Sequence, residues 1–240
     1  MGKHLLDRIN TLVWLMILGS GYTSATWAQT LVKGGGITFQ ADTVQRTVAR
    51  PGKFYPVKMT IYGKGNLARQ ELMMVNRYNR SDTAWTIQIR NSAGIYLCTK
   101  SNLSTDKIAI LMTYEDEKSE NERLIKAGYV RTYNIQTTNR RAKWLGVESR
   151  WVVFTDSLAN EHTDALVSDV LSVPVATFFN RLSSLKATPV QFSVREEEWV
   201  MRYTATKIEQ ATPLDHLFAV PSDFMVMGFQ ELKSLGEETK

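Results

Sequence analysis

The stretch VKMTIYGKGNLARQELMMV, residues 57–75, opens a run of alternating sequence that continues to Tyr114. In VKMTIY, apolar residues stand at every second position, which is the period of two that marks a half-buried β-strand. The GKGN at 63–66 supplies two glycines that can take positive φ, so a tight hairpin is expected there. Residues 67–75 then form the returning strand.

Three more strands follow in the same run. Trp85, Ile87 and Ile89 share one face of the next strand, and Ile95–Thr99 and Lys107–Tyr114 continue the pattern after polar turns. Consecutive strands joined by short loops must pair antiparallel, because a parallel return needs a crossover of about a dozen residues. The sequence therefore predicts a five-stranded antiparallel meander around which the rest of the chain is arranged.

Alternating segments outside the meander predict further strands. A basic turn at 139–141 and a bend at Gly146 are expected to shape the middle of this set. The predicted strands are Ile37–Val44, Tyr129–Thr137, Ala142–Phe154, Pro189–Val194 and Glu198–Ile208. The fold class expected from these segments is α+β, mainly β.

The segment Pro174–Lys186 has the clearest helical pattern in the chain. Its apolar residues recur at three- and four-residue spacing, which predicts one apolar stripe, and proline suits a first helical turn. This stripe either packs on the sheet as plain core or forms a lid over a cavity, and the sequence does not separate the two. The stripe consists of Val175, Phe178, Phe179, Leu182 and Leu185.

The acidic stretch at 114–120 is interpreted as a solvated, charged turn, followed by a short helix over Asn121–Ala127. Paired carboxylates can also serve acid–base chemistry or bind Ca²⁺. The stretch lacks the spacing of a Ca²⁺ loop, and no neighbouring motif marks a substrate pocket.

A secretory signal is predicted at the N-terminus. Lys3 and Arg8 form a positive start, residues 11–19 (TLVWLMILG) form an apolar centre, and small residues precede a cleavage site before Gln29. The apolar run is shorter than the roughly 20 residues that a membrane span needs. We therefore expect export to the periplasm, with an uncleaved anchor as the alternative.

The charge of the chain is mildly basic, at +5 for 240 residues. Removal of residues 1–28 leaves about +4, because that segment holds Lys3, Arg8 and Asp7. The basic side chains are not clustered, so nucleic-acid binding is not expected. Contact with a membrane is expected to be peripheral at most, through weak attraction to an anionic surface.

Few residues in the sequence could support catalysis or bind a metal. Cys98 is the single cysteine, so no internal disulfide forms, and its apolar neighbours favour a buried, inert thiol over a reactive one. His162 lies beside Glu161 and Asp164, but His216 has no ligand-like spacing to them. No nucleophile motif is present. We therefore predict no catalytic residues, no metal, no cofactor and a non-enzymatic role.

The order of short motifs along residues 35–227 resembles a family of secreted bacterial domains similar to the outer-membrane lipoprotein carriers. No single motif is specific, and the resemblance depends on their order and spacing. The motifs are Val57–Gly65, Arg69-Gln70-Glu71, Gly94-Ile95-Tyr96, Phe154-Thr155-Asp156, Ala205–Ile208 and Phe218 with Pro221.

The resemblance implies a strongly curved antiparallel sheet, a half-open barrel, with helices against its concave side. In the carriers that concavity holds acyl chains, and strands rich in methionine and aromatic residues suit such a space. The chain lacks the long N-terminal helix of the carriers, and no counterpart of their functional residues is found. Lipoprotein transport itself is therefore not implied.

The first functional hypothesis is a periplasmic binding protein that takes a lipid, acyl chain or other apolar ligand into the concave face. Each residue expected to line the space between sheet and helix could instead be ordinary core. The candidates are Met59, Ile61, Trp85, Ile87, Ile89, Ile110, Met112, Phe178, Phe179 and Leu182.

The second hypothesis is a structural or interaction protein with a filled core, which docks to an envelope partner by its surface or an edge strand. Empty volume beneath the Pro174–Lys186 segment would favour the first hypothesis. A hydrolase would need a polar cluster at the cavity mouth, and none is identified. The predicted organisation is a signal at 1–28, one domain at 29–228 and a polar tail at 229–240.

Overall fold

The computed structural model describes residues 34–46, 54–127, 133–156, 161–179, 182, 185–195 and 199–237. The strands in these residues are β1 (Gly35–Arg46), β2 (Phe54–Lys64), β3 (Leu67–Asn76), β4 (Thr83–Asn91), β5 (Gly94–Ser101), β6 (Ser104–Met112), β7 (Tyr133–Trp144), β8 (Val147–Asp156), β9 (Glu161–Ser168), β10 (Thr188–Arg195), β11 (Trp199–Glu209) and β12 (Met225–Gly228). The α-helices are α1 (Tyr114–Lys126) and α2 (Phe229–Glu237). The predicted class, mainly β within α+β, is confirmed.

The twelve strands form one sheet in the order β12-β6-β5-β4-β3-β2-β1-β11-β10-β9-β8-β7. The predicted meander is confirmed as β2 to β6, and its ladders are antiparallel. β1 lies in the middle because it pairs with β2 on one side and β11 on the other. β12 pairs with β6 in the parallel sense and ends that side of the sheet.

The sheet is strongly curved in its second half. β7 and β11 are separated by four strand spacings, which in a flat sheet amounts to about 19 Å. The indole Nε1 of Trp144 on β7 nevertheless donates a hydrogen bond to the carbonyl oxygen of Ala205 on β11, at 2.8 Å. The strands therefore roll inward, and the sheet stays open because β7 and β12 end its two sides.

The larger core fills the concave face of this rolled half. Phe192 lies at its centre, with its ring centroid 5.6 Å from Phe39, 5.0 Å from Phe179 and 5.3 Å from Tyr203. All four side chains are buried. Three of these rings come from β1, β10 and β11, and the fourth is Phe179, so the cluster joins the sheet to the segment that covers it.

The other half of the sheet is covered on both faces. On the concave face, Leu124 of α1 and Phe229 of α2 pack against Leu97 and Ile110. On the convex face, the C-terminal crossover, defined as residues 210–224, places Phe224 against apolar side chains of β4, β5 and β6. The chain thus crosses the back of the sheet before adding β12 and returning to the front as α2.

Buried polar contacts fix the C-terminal crossover. Arg69, which is 7% exposed on β3, pairs with Glu71 at 2.6 Å and donates from Nη1 to the carbonyl oxygen of Leu217 at 2.8 Å. The amide of Asn91 donates to the carbonyl oxygen of Phe218 at 3.1 Å. These bonds tie two backbone carbonyl groups of the crossover to side chains of β3 and β4.

The predicted α-helix over Pro174–Lys186 is wrong in its form. Val175–Phe178 is a 3-10 turn, and Phe179 has extended backbone angles of φ −136° and ψ 118°. Thr177 Oγ1 donates to the carbonyl oxygen of Pro174 at 2.5 Å, a local bond that competes with α-helical hydrogen bonding. Breaking the helix at Phe179 lets Phe178, Phe179 and Leu182 all enter the core.

The acidic stretch at 114–120 is not the charged turn that was predicted, because it forms the first half of α1. Thr113 is the N-cap, and its side chain and that of Asp116 make reciprocal capping-box bonds. Carboxylates in the first turn of a helix are stabilised by the helix dipole. The acidic residues therefore start the helix.

The hairpin between β7 and β8 also differs from its prediction. The turn is not at 139–141, where the register only shifts, and there is no single bent strand over Ala142–Phe154. Trp144 pairs with Val147, and the two residues between them have positive φ, 47° and 82°. Two such residues make a type I′ turn, for which Gly146 supplies the flexible position.

The predicted polar tail at 229–240 is wrong for residues 229–237, which form α2 with Phe229 and Leu232 buried. The two side chains are three residues apart, so they share one face of the helix and bury together. The predicted signal at 1–28 lies outside the described residues. Among the described helices, none has the length and apolar content needed to cross a bilayer.

Candidate ligand-binding groove

An open cavity of about 490 Å³ lies at one end of the concave face, and we call it the groove. Ala68 and Arg90, a directly opposed pair on β3 and β4, contribute to its lining. Tyr114 of α1 lines the groove, as do Pro174 and Thr177. The groove therefore opens between the two elements that cover the sheet.

The α1 side of the groove is held by contacts to β4. Arg90 Nη2 donates to Glu117 Oε1 at 2.6 Å, and its guanidinium lies 5.6 Å from the centre of the Tyr114 ring. The Tyr114 hydroxyl donates to the carbonyl oxygen of Asn91 at 2.6 Å. Because Glu117 neutralises Arg90, the groove presents little net charge to a ligand.

The other side is formed by the covering segment, defined as residues 174–179 together with Leu182. It lies directly on β2: a methyl group added at Gly63 would stand 2.2 Å from the Cδ atom of Pro174. Phe178, Phe179 and Leu182 anchor the segment in the core. The covering segment is therefore packed core at its far end and a wall of the groove at Pro174 and Thr177.

Two acidic residues brace α1 against α2. Glu120, with a side chain 3% exposed, bonds Arg123 at 2.5 Å and Lys233 at 3.3 Å. Asp116 Oδ1 accepts from Gln230 Nε2 at 2.6 Å. Burial alone would raise the pKa of both carboxyls, but the hydrogen bonds and nearby cations outweigh it, so each pKa lies below its ordinary value.

The brace predicts a loss of stability in acid. A carboxyl whose pKa is lower in the folded state stabilises the fold above its unfolded pKa, and this stabilisation is lost as pH falls through the folded value. We expect Glu120→Gln to lower the free energy of unfolding by about 1–2 kcal/mol at pH 7 and by less at acidic pH. Urea unfolding of the wild-type and Glu120→Gln proteins, measured at pH 7 and at acidic pH, gives the difference.

The matched control for this prediction is Glu122→Gln, at an exposed position of α1. It is expected to change the unfolding free energy by no more than about 0.5 kcal/mol at any of these pH values. An equal loss for Glu120→Gln at neutral and acidic pH would contradict the role given to its charge.

The next row of the concave face, beside Ala68 and Arg90, is polar at its centre. Ile61, Gln70, Gln88, Leu97 and Ile110 stand opposite one another across five strands. The side-chain amide of Gln70 donates to the sulfur of Met59 at 3.1 Å. Gln88 is only 6% exposed, and its side chain makes no hydrogen bond with the described residues.

A second polar group without a partner comes from α1. The side-chain oxygen of Asn121 is buried and makes no hydrogen bond within the described part of the chain. Glu117, Asn121 and Leu124 are four and three residues apart, which places them on one side of the helix. Since Glu117 contacts Arg90 and Leu124 packs on the sheet, Asn121 belongs to the sheet-facing side.

The ten candidate residues from the sequence do not share one space. Met59, Ile61, Phe178, Phe179 and Leu182 lie in the larger core, whereas Ile110 and Met112 lie beneath α1 and α2. Ile87 and Ile89 pack on the convex face under the C-terminal crossover. Trp85 is half-buried on the same convex side, where Lys100 Nζ lies 5.3 Å from its ring centre.

Sequence reasoning missed Tyr114 as a residue of the groove, and Gln70, Gln88 and Asn121 as polar residues of the neighbouring part of the concave face. It assigned the apolar face of β4 to the interior, although the polar face is the concave one. The capping box that begins at Thr113 could have predicted the start of α1, and with it the residues on the sheet-facing side of that helix. No comparable signal distinguished the two faces of β4.

The cysteine and histidine considered in the sequence analysis lie outside the groove. Cys98 is fully buried, as predicted, and burial raises the pKa of its thiol to about 12. His162 Nδ1 lies 3.0 Å from Thr155 Oγ1. Within the described ranges, no three His, Cys, Asp or Glu side chains are grouped so that they could hold a metal ion.

No family model and no curated protein matches the chain. Two crystal forms of PNGF-II are similar to it at 13% and 12% sequence identity, each with a TM-score of 0.38. Each match covers 84% of this chain and 32% of the PNGF-II chain, so this chain spans about a third of that protein's length. A TM-score this low establishes neither a shared fold nor a shared function.

Proposed function

We propose that the protein is a non-enzymatic binding protein that takes an apolar or amphipathic ligand, such as an acyl chain, into its concave face. The groove supports this proposal, because it is an open space of about 490 Å³ between the covering segment and α1. That volume is within the range of small-molecule sites, about 300–1,000 Å³. The same face has apolar cores on both sides of the groove.

The compartment proposed for this activity is the periplasm. The charged start, apolar centre and small residues before Gln29 support export through a cleaved signal. A curved, open sheet with helices on its concave face is also what the resemblance to the lipoprotein carriers implies. This agreement supports a carrier-like role for the protein.

The test begins with native mass spectrometry of the mature protein, purified from a bacterial periplasm without detergent, followed by organic extraction. We expect additional mass that extracts as lipid, and uptake of a fluorescent fatty acid by the extracted protein. A clean mass together with no uptake of the fluorescent fatty acid would contradict the proposal.

A variant that fills the groove locates the binding. Ser92 lines the groove from the exposed turn after β4, so Ser92→Trp places a bulky ring there without altering the core. We expect it to weaken uptake of the fluorescent fatty acid at least about tenfold, equivalent to 1.4 kcal/mol. Ser81→Trp, in an exposed turn at the other end of β4, is the matched control and is expected to bind normally.

The second candidate function is docking of an envelope protein to the edge strand β7. β7 ends the sheet, and along its twelve residues the outer edge has no partner strand among the described residues. Free strand edges are recognition surfaces for added strands. The exposed Arg140, Arg141 and Lys143 on β7 also suit protection against unwanted pairing, which makes this the weaker candidate.

A further inference from the structure

We propose that the inner end of the groove binds an uncharged hydroxyl- or amide-bearing group of an amphipathic ligand, through Gln88 and Asn121 with Gln70 beside them. This inference rests on the proposed binding function and specifies the class of ligand. It follows from Gln88 on the row next to the groove and Asn121 on the sheet-facing side of α1, neither of which makes a side-chain hydrogen bond with the described residues.

Gln88 is the first of these groups. Its residue is 6% exposed on the concave face, and its carboxamide bonds to none of the described residues. Thr86, the next residue on the same face of β4, is also 6% exposed and makes no side-chain hydrogen bond with described residues. The polar atoms of this carboxamide are not sealed from solvent, so a ligand that enters this space can bond to them.

Asn121 is the second group, and the contacts of α1 give its level along β4. Tyr114 bonds to Asn91, and Glu117 bonds to Arg90. Higher-numbered residues of α1 therefore lie beside lower-numbered residues of β4. Four residues advance a helix by about 6 Å, and two residues advance a strand by about 6.6 Å. Asn121, four residues after Glu117, therefore lies at the level of Gln88.

No hydrogen bond joins the side chains of Gln88 and Asn121, although each of them could donate and accept. Asn121 offers a buried side-chain oxygen that accepts a hydrogen bond, and the carboxamide of Gln88 can do both. Gln70 stands directly opposite Gln88 and bonds only to the sulfur of Met59, a weak acceptor. A ligand hydroxyl or amide, which donates and accepts, matches this set.

The electrostatics favour an uncharged group over an anion. Arg90, in the neighbouring row, is already paired with Glu117 at 2.6 Å. Carboxamides provide no charge to offset the desolvation of a carboxylate or phosphate. A fatty acid is therefore expected to bind less tightly than an uncharged lipid with the same chain.

The test compares three ligands with the same acyl chain, measured by displacement of the fluorescent probe N-phenylnaphthylamine from the mature protein. We expect monolauroylglycerol to bind about tenfold more tightly than methyl laurate, and more tightly than laurate. Gln88→Leu and Asn121→Leu are expected to remove the preference for monolauroylglycerol while methyl laurate binds as before.

Thermal unfolding of the free protein adds a second readout. Asn121→Leu is expected to raise the unfolding midpoint, because it removes a buried side-chain oxygen that has no partner among the described residues. The matched control Gln191→Leu removes a glutamine that bonds Thr204 at 3.3 Å, so it is expected to lower the midpoint and preserve the ligand preference.

The outcomes separate this inference from the proposed function. If all three ligands bind equally, or if both variants keep the preference, as they would if only water occupied this space, the inference is wrong and the binding function stands. Binding of laurate at least as tight as monolauroylglycerol also overturns it. If no ligand displaces the probe and the probe itself does not bind, both proposals fail.

Discussion

Replacing Phe192 with alanine is expected to lower the free energy of unfolding by about 3–5 kcal/mol, the largest effect predicted here. Phe192 is 1% exposed and is surrounded by Phe39, Phe179 and Tyr203, with ring centroids 5.0–5.6 Å away. Its removal leaves a cavity and eliminates three aromatic contacts at once. Urea unfolding followed by tryptophan fluorescence measures the loss.

The control for this substitution is Tyr78→Ala, which removes an aromatic side chain that is 74% exposed. It is expected to change stability by no more than about 0.5–1 kcal/mol. Similar losses in the two variants would show that Phe192 is not the centre of the core. Because Phe179 belongs to the covering segment, Phe192→Ala should also weaken uptake of a fluorescent fatty acid.

The second large effect is expected from Gly63→Ala. The new methyl group would stand 2.2 Å from Cδ and 2.8 Å from Cγ of Pro174, whereas real contacts of this kind stay above 3.0 Å. The ring of Pro174 is rigid, so either β2 or the covering segment must move. We expect a loss of about 2–3 kcal/mol in the free energy of unfolding and weaker binding in the groove.

A double-mutant cycle tests whether the clash is the cause. Pro174→Ala removes the ring atoms that the methyl group would meet, so in this background Gly63→Ala should cost at least about 1 kcal/mol less. Gly228→Ala is the control, since an added methyl group there meets no atom within 4 Å. Equal costs of Gly63→Ala in the two backgrounds would contradict the proposed contact.

The sheet was largely predictable, because each strand of the meander alternates and each turn is short. The pattern could not show which face of β4 is the interior. Trp85, Ile87 and Ile89 form its apolar face, yet that face is convex and is covered by the C-terminal crossover. The covering residues are more than a hundred positions away, so local alternation contains no information about them.

The covering elements were predicted less well. Phe178, Phe179 and Leu182 are buried, as their spacing suggested. They reach the core through a 3-10 turn followed by an extended residue at Phe179, and not through an α-helix. Tertiary packing here overrides helical propensity. α1 could have been placed from its capping box, whereas the parallel pairing of β12 with β6 had no sequence signal.

The candidate site was the least predictable part. Gln70 and Gln88 appear in the sequence as ordinary polar positions of alternating strands, which are most often solvated. Only the register, which places them opposite each other on the concave face, makes them unusual. Placing Asn121 near Gln88 required knowledge of the direction of α1 relative to β4. That direction is fixed by two hydrogen bonds whose partners are separated by 23 and 27 positions in the sequence.

The path of the C-terminal crossover has a consequence for the order of events during synthesis. β1 finds its second neighbour only when β11 exists, and β6 gains its outer partner only when residues 225–228 have been made. Long-range pairing of this kind slows folding, because the chain must first close long loops. The two halves of the sheet are therefore completed only after residues 199–228 have been made, so the chain stays incompletely folded through most of its synthesis.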